Sequence, residues 1–192
     1  MRNTKADRRS QRTRGLLSGA LVALMVEQRY DEITIQDIIN RANVGRSTFY
    51  AHYLDKEDLL VSNFTRTIDS LIDHGDPGTR PGLAPFFRHV QSQQQLYKAL
   101  VRGGGIDLLY KKSQAHIQRS IKTYLEALIP AGQPPAAPVD LIAECMAGTM
   151  LTMLKWWLDH EMPRSPEEMD RLFHDLMLPG IVATLQITPG PP

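Results

Sequence analysis

The chain has 192 residues, 42% of them hydrophobic and 22% charged, which is enough apolar material for a packed core and too little charge for a disordered chain. Its net charge of +1 is unevenly spread: the first 14 residues carry six basic side chains against Asp7 alone, leaving 16 basic and 20 acidic residues in the remainder. That excludes a surface that binds polyanions indiscriminately and confines the positive field to one end, the footprint expected for phosphate contacts.

The first predicted helix runs from Ala6 to about Gln28, with Leu17, Leu21, Leu24 and Met25 on one face, and stops before a turn at Tyr30-Asp31. The run Leu16 to Val26, broken by Ser18 and Gly19, is too short and too polar to span a bilayer. No signal-peptide cleavage pattern follows the basic start, so the expected location is cytoplasmic. A second, short helix follows Thr34, which caps it with Asp37 three residues on, and carries Ile35, Ile38, Ile39 and Ala42 at helical spacing. Asn43 falls where the chain must reverse, and asparagine tolerates the left-handed backbone of such a turn. After Val44 and Gly45, the stretch Arg46 to His52 is predicted as a third helix with Phe49 facing inward.

Asp55 is the expected N-cap of a fourth helix, with Glu57 and Asp58 in its first turn and Leu60, Phe64, Ile68, Leu71 and Ile72 as its buried stripe. The glycine- and proline-rich stretch 75–82 then reads as a loop. Helical patterns follow over Leu83 to Gln93, Gln94 to Arg102 and Ile106 to Leu128, the last two separated by Gly103-Gly104-Gly105. Beyond a second proline-rich loop, Pro130 to Pro138, come a strongly apolar helix from Val139 to His160 and a last one opened by Ser165, Pro166 and Glu168. Residues 188–192 read as a frayed tail. Cys145, the one cysteine, cannot form an internal disulfide and sits among apolar residues, so it is expected as a small buried side chain.

The pair of short helices around Asn43 has the organisation of a helix-turn-helix: Ile35, Ile38, Val44 and Phe49 can lock the two helices, leaving polar residues outward. Arg46, Ser47 and Thr48 lie in the turn that would enter a major groove, with Arg46 as the expected contact to guanine. On spacing alone the segment also fits a plain helical hairpin with a solvated face. The stretch Thr34 to Tyr53, Thr-Ile-Gln-Asp-Ile-Ile-Asn-Arg-Ala-Asn-Val-Gly-Arg-Ser-Thr-Phe-Tyr-Ala-His-Tyr, followed by Lys56-Glu57-Asp58-Leu59-Leu60, resembles the TetR/AcrR signature nearly position by position. The resemblance covers about Arg8 to Leu60. It implies DNA contacts from Arg46, Ser47, Thr48, Tyr50 and His52, a phosphate contact from Lys56, a cap-and-phosphate role for Thr34, and core positions for Phe49 and Tyr53. Asn43 departs from the usual glycine and Gly45 from the frequent serine; both substitutes suit the backbone required.

Outside the signature, no glycine-rich phosphate loop is completed after Gly103-Gly104-Gly105, no Gly-x-Ser-x-Gly elbow occurs, and His74, His89, His116, His160 and His174 lack metal-ligand spacing. No catalytic residue, metal or cofactor is expected, and the chain is not expected to be an enzyme. The overall expectation is an all-α protein with a three-helix helix-turn-helix domain over residues 1–55 and a helical ligand-binding and dimerisation bundle over 56–192. Expected pocket residues are Phe86, Phe87, Tyr97, Leu100, Leu109, His116, Tyr124 and Met150. The expected homodimer interface comprises Met146, Met153, Trp157, Leu172, Phe173 and Leu176. The predicted partners are a double-stranded DNA operator, a second copy of the chain and a small apolar or amphipathic ligand that releases a repressor; no membrane is expected. The alternative is a helical interaction module or coactivator that no longer binds DNA.

Overall fold

The structure, a computed structural model, describes residues 4–71, 82–103, 105–130, 132 and 134–186, residues 4–7 by backbone alone. Ile72, all but the end of the 75–82 loop, Gly104 and the tail at 188–192 lie outside it. Among the described residues there is no β-strand, and nine α-helices occur: α1 (Thr4–Glu27), α2 (Ile35–Ala42), α3 (Arg46–Tyr50), α4 (Lys56–Leu71), α5 (Ala84–Ser92), α6 (Gln94–Arg102), α7 (Gly105–Leu128), α8 (Val139–Asp159) and α9 (Pro166–Leu185). The turn expected after α1 is a single 3-10 turn, Tyr30–Glu32. Helix α3 is shorter than expected and ends at Tyr50, because the His52 and Tyr53 N–H groups turn back onto the Phe49 carbonyl.

The described residues fall into two compact units. The first takes residues up to Phe64 together with Gln95–Leu109, and the second takes Thr65–Gln94 with the residues from Tyr110 onward. The first unit therefore extends past the expected boundary at residue 55, through half of α4, and also includes α6. Its core is built on the stripe of α1 read from the sequence, Leu17, Leu21, Leu24 and Met25, against Ile38, Ile39 and Ala42 of α2 and Phe49, Leu59 and Leu60, all buried.

In the second unit, α9 packs on both α5 and α8. The Trp157 ring of α8 is fully enclosed and meets Phe87 of α5 edge to face, with centroids 5.4 Å apart; its indole N–H donates to the Arg164 carbonyl at 2.9 Å. Ser165 and Glu168 cap α9 reciprocally, and Asp170 accepts the Leu83 N–H at 2.7 Å, tying the entrance of α5 to α9. Lys122 of α7 pairs with Asp140 of α8 at 2.7 Å. Cys145 is exposed, contrary to expectation. Helix α8 is apolar on nearly every side, so apolar sequence neighbours do not determine which residues face inward.

Candidate nucleic-acid interface

Thr34 sits in extended backbone ahead of α2. Its hydroxyl oxygen accepts the Asp37 N–H at 3.2 Å, while the Asp37 carboxylate accepts the Thr34 N–H at 2.9 Å and its hydroxyl at 2.6 Å. The bond from the Thr34 side chain, reinforced by the backbone one, holds the Asp37 carboxyl below its ordinary range. These reciprocal bonds satisfy two backbone N–H groups at the start of α2, those of Thr34 and Asp37, and fix where it begins.

The reversal between α2 and α3 turns on Asn43, whose φ of 51° and ψ of 50° lie in the left-handed region. The Asn43 and Val44 N–H groups close on the Asn40 and Ile39 carbonyls, which satisfies the end of α2 in one turn. Gly45 then caps α3 with its carbonyl, which accepts the Thr48 and Phe49 N–H groups at 3.0 and 3.1 Å. A Cβ at Gly45 would meet nothing closer than 3.8 Å, so the space there does not demand glycine.

Phe49, with no exposed surface, is the inward anchor of α3, and its ring lies edge-on to Tyr50 at 5.4 Å and tilted to Tyr53 at 6.1 Å. Arg46, Ser47 and Tyr50 are exposed; Thr48 and His52 are half-buried. Arg46, Ser47, Thr48 and Tyr50 of α3 and His52 in the turn after it thus keep surface around a buried anchor, while Thr34 and Lys56, carried over with them, lie at the starts of α2 and α4.

Lys56, expected at a phosphate, is occupied differently. Its ammonium donates to the carbonyls of Tyr30, Asp31 and Ile33 at 2.9, 3.1 and 2.6 Å and lies 4.8 Å from the centre of the Tyr30 ring. All three donors of the ammonium are engaged, so a phosphate contact requires it to release one of these carbonyls. Lys56 joins the start of α4 to the 3-10 turn. Lys56→Gln is expected to lower the unfolding free energy by about 2–3 kcal/mol. A change below about 0.5 kcal/mol in urea unfolding, with the salt slope of duplex binding reduced by about one, would instead assign it to phosphate.

Several supports of this head were not read from the sequence. Arg41 of α2 makes a bidentate pair with Glu27 at the end of α1, and hydrogen bonding from the guanidinium holds the Glu27 carboxyl below its ordinary range. Arg29 and Asp31 form a second pair at 2.9 Å. Tyr30 is buried, its hydroxyl without a hydrogen-bond partner among the described residues, and Gly103 lies so close that a Cβ there would be 2.7 Å from the Tyr30 backbone nitrogen.

The structure does not gather the residues expected around a ligand into one unit. Tyr97, Leu100 and Leu109 are buried in the first, and Phe86, Phe87 and Met150 in the second, where Tyr124 is half-buried and His116 pairs with Asp69 at 2.8 Å. Of the residues expected at the dimer interface, Trp157 has no surface left for a partner, and Met146, Met153 and Phe173 retain at most 9%, because each packs inside its own chain. Leu172 and Leu176 remain exposed at 37% and 59%, and the sequence reading missed two others on α8, Leu141 at 58% and Trp156 at 42%.

Among the described residues no helix is long and apolar enough to cross a membrane, and no cluster of side chains suits a metal. The family described as "Bacterial regulatory proteins, tetR family" matches residues 17–62, and the one described as "Transcriptional regulator C-terminal region" matches residues 79–179. A protein of Bacillus subtilis (strain 168), the uncharacterized HTH-type transcriptional regulator YxbF, is 45% identical over 69 residues, 35% of this chain; the match spans only 18% of that protein's length. Among solved structures, a TetR transcriptional regulator from Streptococcus agalactiae 2603V is 25% identical with a TM-score of 0.52, covering 90% of this chain and 97% of the other. A TetR-family regulator from Syntrophomonas wolfei is 21% identical with a TM-score of 0.59, covering 90% and 96%, and shares the fold. So does the dihydroxyacetone kinase operon activator DhaS, 18% identical with a TM-score of 0.58 over 90% and 98%. The two matched regions leave out little beyond the ends of the chain and the link between them, and the protein belongs to the TetR family of bacterial transcriptional regulators.

Proposed function

We propose that the protein binds a near-palindromic DNA operator as a homodimer and represses transcription until a small apolar or amphipathic ligand releases it. The observation that carries the DNA reading is the presentation of α3: a left-handed turn at Asn43 and a wholly buried Phe49 leave Arg46, Ser47 and Tyr50 exposed together. Residues 1–55 supply the DNA-reading part. Arg46 reads a guanine edge, Ser47, Thr48, Tyr50 and His52 contact bases or phosphates beside it, and the basic residues before Gly15 add salt-sensitive affinity. In a two-fold dimer the two α3 helices stand about 34–36 Å apart, matching successive major grooves. The exposed Leu141, Trp156, Leu172 and Leu176 on α8 and α9 support a four-helix interface in which each partner contributes both helices. Release by ligand requires that the ligand bind the DNA-free arrangement more tightly than the DNA-bound one. The interaction-module alternative is not favoured, since the family match over residues 17–62 runs through α2, the turn and α3.

The test is fluorescence anisotropy with a labelled duplex from the region beside the protein's own gene, at two salt concentrations and against a scrambled duplex. The expected result is selective, salt-dependent binding by two protomers per duplex. Arg46→Ala should cost about 1–3 kcal/mol of specific affinity and relax preference at one base position. Equal binding of both duplexes, by the parent and by Arg46→Ala alike, would remove the operator reading.

A further inference from the structure

The first unit contains a cavity of about 430 Å³ between the last turn of α1 and one face of α6. Its apolar side is Val26, 53% exposed, and Ala99; Met25 also lines it but keeps only 2% of its surface. Its polar side is Gln95, Lys98 and Arg102, spaced so that one edge of α6 brings all three to the same wall. The charges on that wall are unbalanced. Of the other ionic groups lining the cavity, Glu27 is held by Arg41 and Arg29 by Asp31, so both are already compensated. Among the described residues neither Lys98 nor Arg102 has an acidic side chain within ion-pair distance.

We propose that this cavity is a binding site for a small organic carboxylate with an apolar body, the carboxylate held by Lys98 and Arg102 and the body lying on Val26 and Ala99. A bare inorganic anion would leave the apolar side wet, and a neutral alcohol would leave Lys98 and Arg102 to water alone; an amphipathic carboxylate engages both sides. The site lies wholly within the unit that contains the helix-turn-helix, and one of its walls, Glu27, also grips α2 through Arg41. The binding itself is independent of the operator reading and is measured without DNA.

The full chain is titrated with sodium octanoate by isothermal calorimetry, with octanol and inorganic phosphate as comparison probes. One saturable octanoate site per chain is expected, with octanol and phosphate at least about tenfold weaker, since each lacks one half of the interaction. Lys98→Gln with Arg102→Gln should weaken octanoate by about tenfold or more, whereas Arg88→Gln, a surface change in the second unit, should not. Val26→Asp, which places a like charge on the apolar side, should also abolish binding, and circular dichroism confirms that each variant is folded. No saturable heat at millimolar octanoate, phosphate binding as tightly as octanoate, or undiminished binding by the folded Lys98→Gln/Arg102→Gln variant would each overturn the proposal.

Discussion

Phe49→Ala is expected to lower the unfolding free energy by about 3–5 kcal/mol and to abolish selective duplex binding. Helix α3 has five residues, too few to be stable alone, so its position comes from tertiary packing. Phe49 is its one buried residue; Arg46, Ser47 and Tyr50 face water and Thr48 is half-buried. Removing the ring leaves a void beneath the helix and detaches the exposed residues from a fixed backbone. Urea unfolding at fixed protein concentration measures the first effect and anisotropy the second. The contrast with Arg46→Ala is diagnostic, because that change should reduce selectivity with stability intact. A Phe49→Ala protein that unfolds within about 1 kcal/mol of the parent, or still prefers its operator, would show that α3 is anchored elsewhere.

Gly103→Ala should cost about 2–3 kcal/mol. The added Cβ would lie 2.7 Å from the backbone nitrogen of Tyr30 and 3.2 Å from the Ala99 carbonyl, and neither backbone atom can swing aside as a flexible side chain would. Either α6 or the 3-10 turn must move, and the turn carries two of the three carbonyls that hold Lys56. Gly19→Ala in α1 is the matched control: nothing lies within 4 Å of its Cβ, so the same methyl should instead stabilise by about 0.5–1 kcal/mol through helix propensity. Equal stability of the two variants would show that the approach of α6 to Tyr30 is looser than the structure has it.

What was legible in the sequence was what is decided locally. The partners of the Thr34–Asp37 and Ser165–Glu168 boxes are three positions apart, and the reversal at Asn43 depends on one residue's tolerance for positive φ; both follow from neighbours in the chain. The stripe of α1 was legible because Leu17, Leu21, Leu24 and Met25 recur at helical spacing, although Leu16 and Val26 off that stripe are apolar and exposed. Interactions across long sequence separations were not. The ammonium of Lys56 finds carbonyls 23 to 26 residues earlier, and nothing near Lys56 announces them. Gly103 read as a break between helices, which it is, but the surface that makes a side chain intolerable belongs to Tyr30. On α8 the difficulty was angular. Adjacent residues differ by about 100° around a helix, so assigning Trp157 rather than Trp156 to the outside depends on a choice that a helix apolar on most sides does not reveal.

That adjacent pair gives the protein two internal optical reporters. Trp157 is sealed from water with its indole N–H on a carbonyl, whereas Trp156 is 42% exposed and stacks on His160 at 4.6 Å. Indole emission shifts to longer wavelength in water, so the inner ring emits at the blue side for as long as the fold persists. The outer ring responds to whatever covers the face it stands on and to displacement of the imidazole stacked against it. With Trp156→Phe removing one signal and leaving the other, assembly and unfolding can be followed separately in the same unlabelled sample.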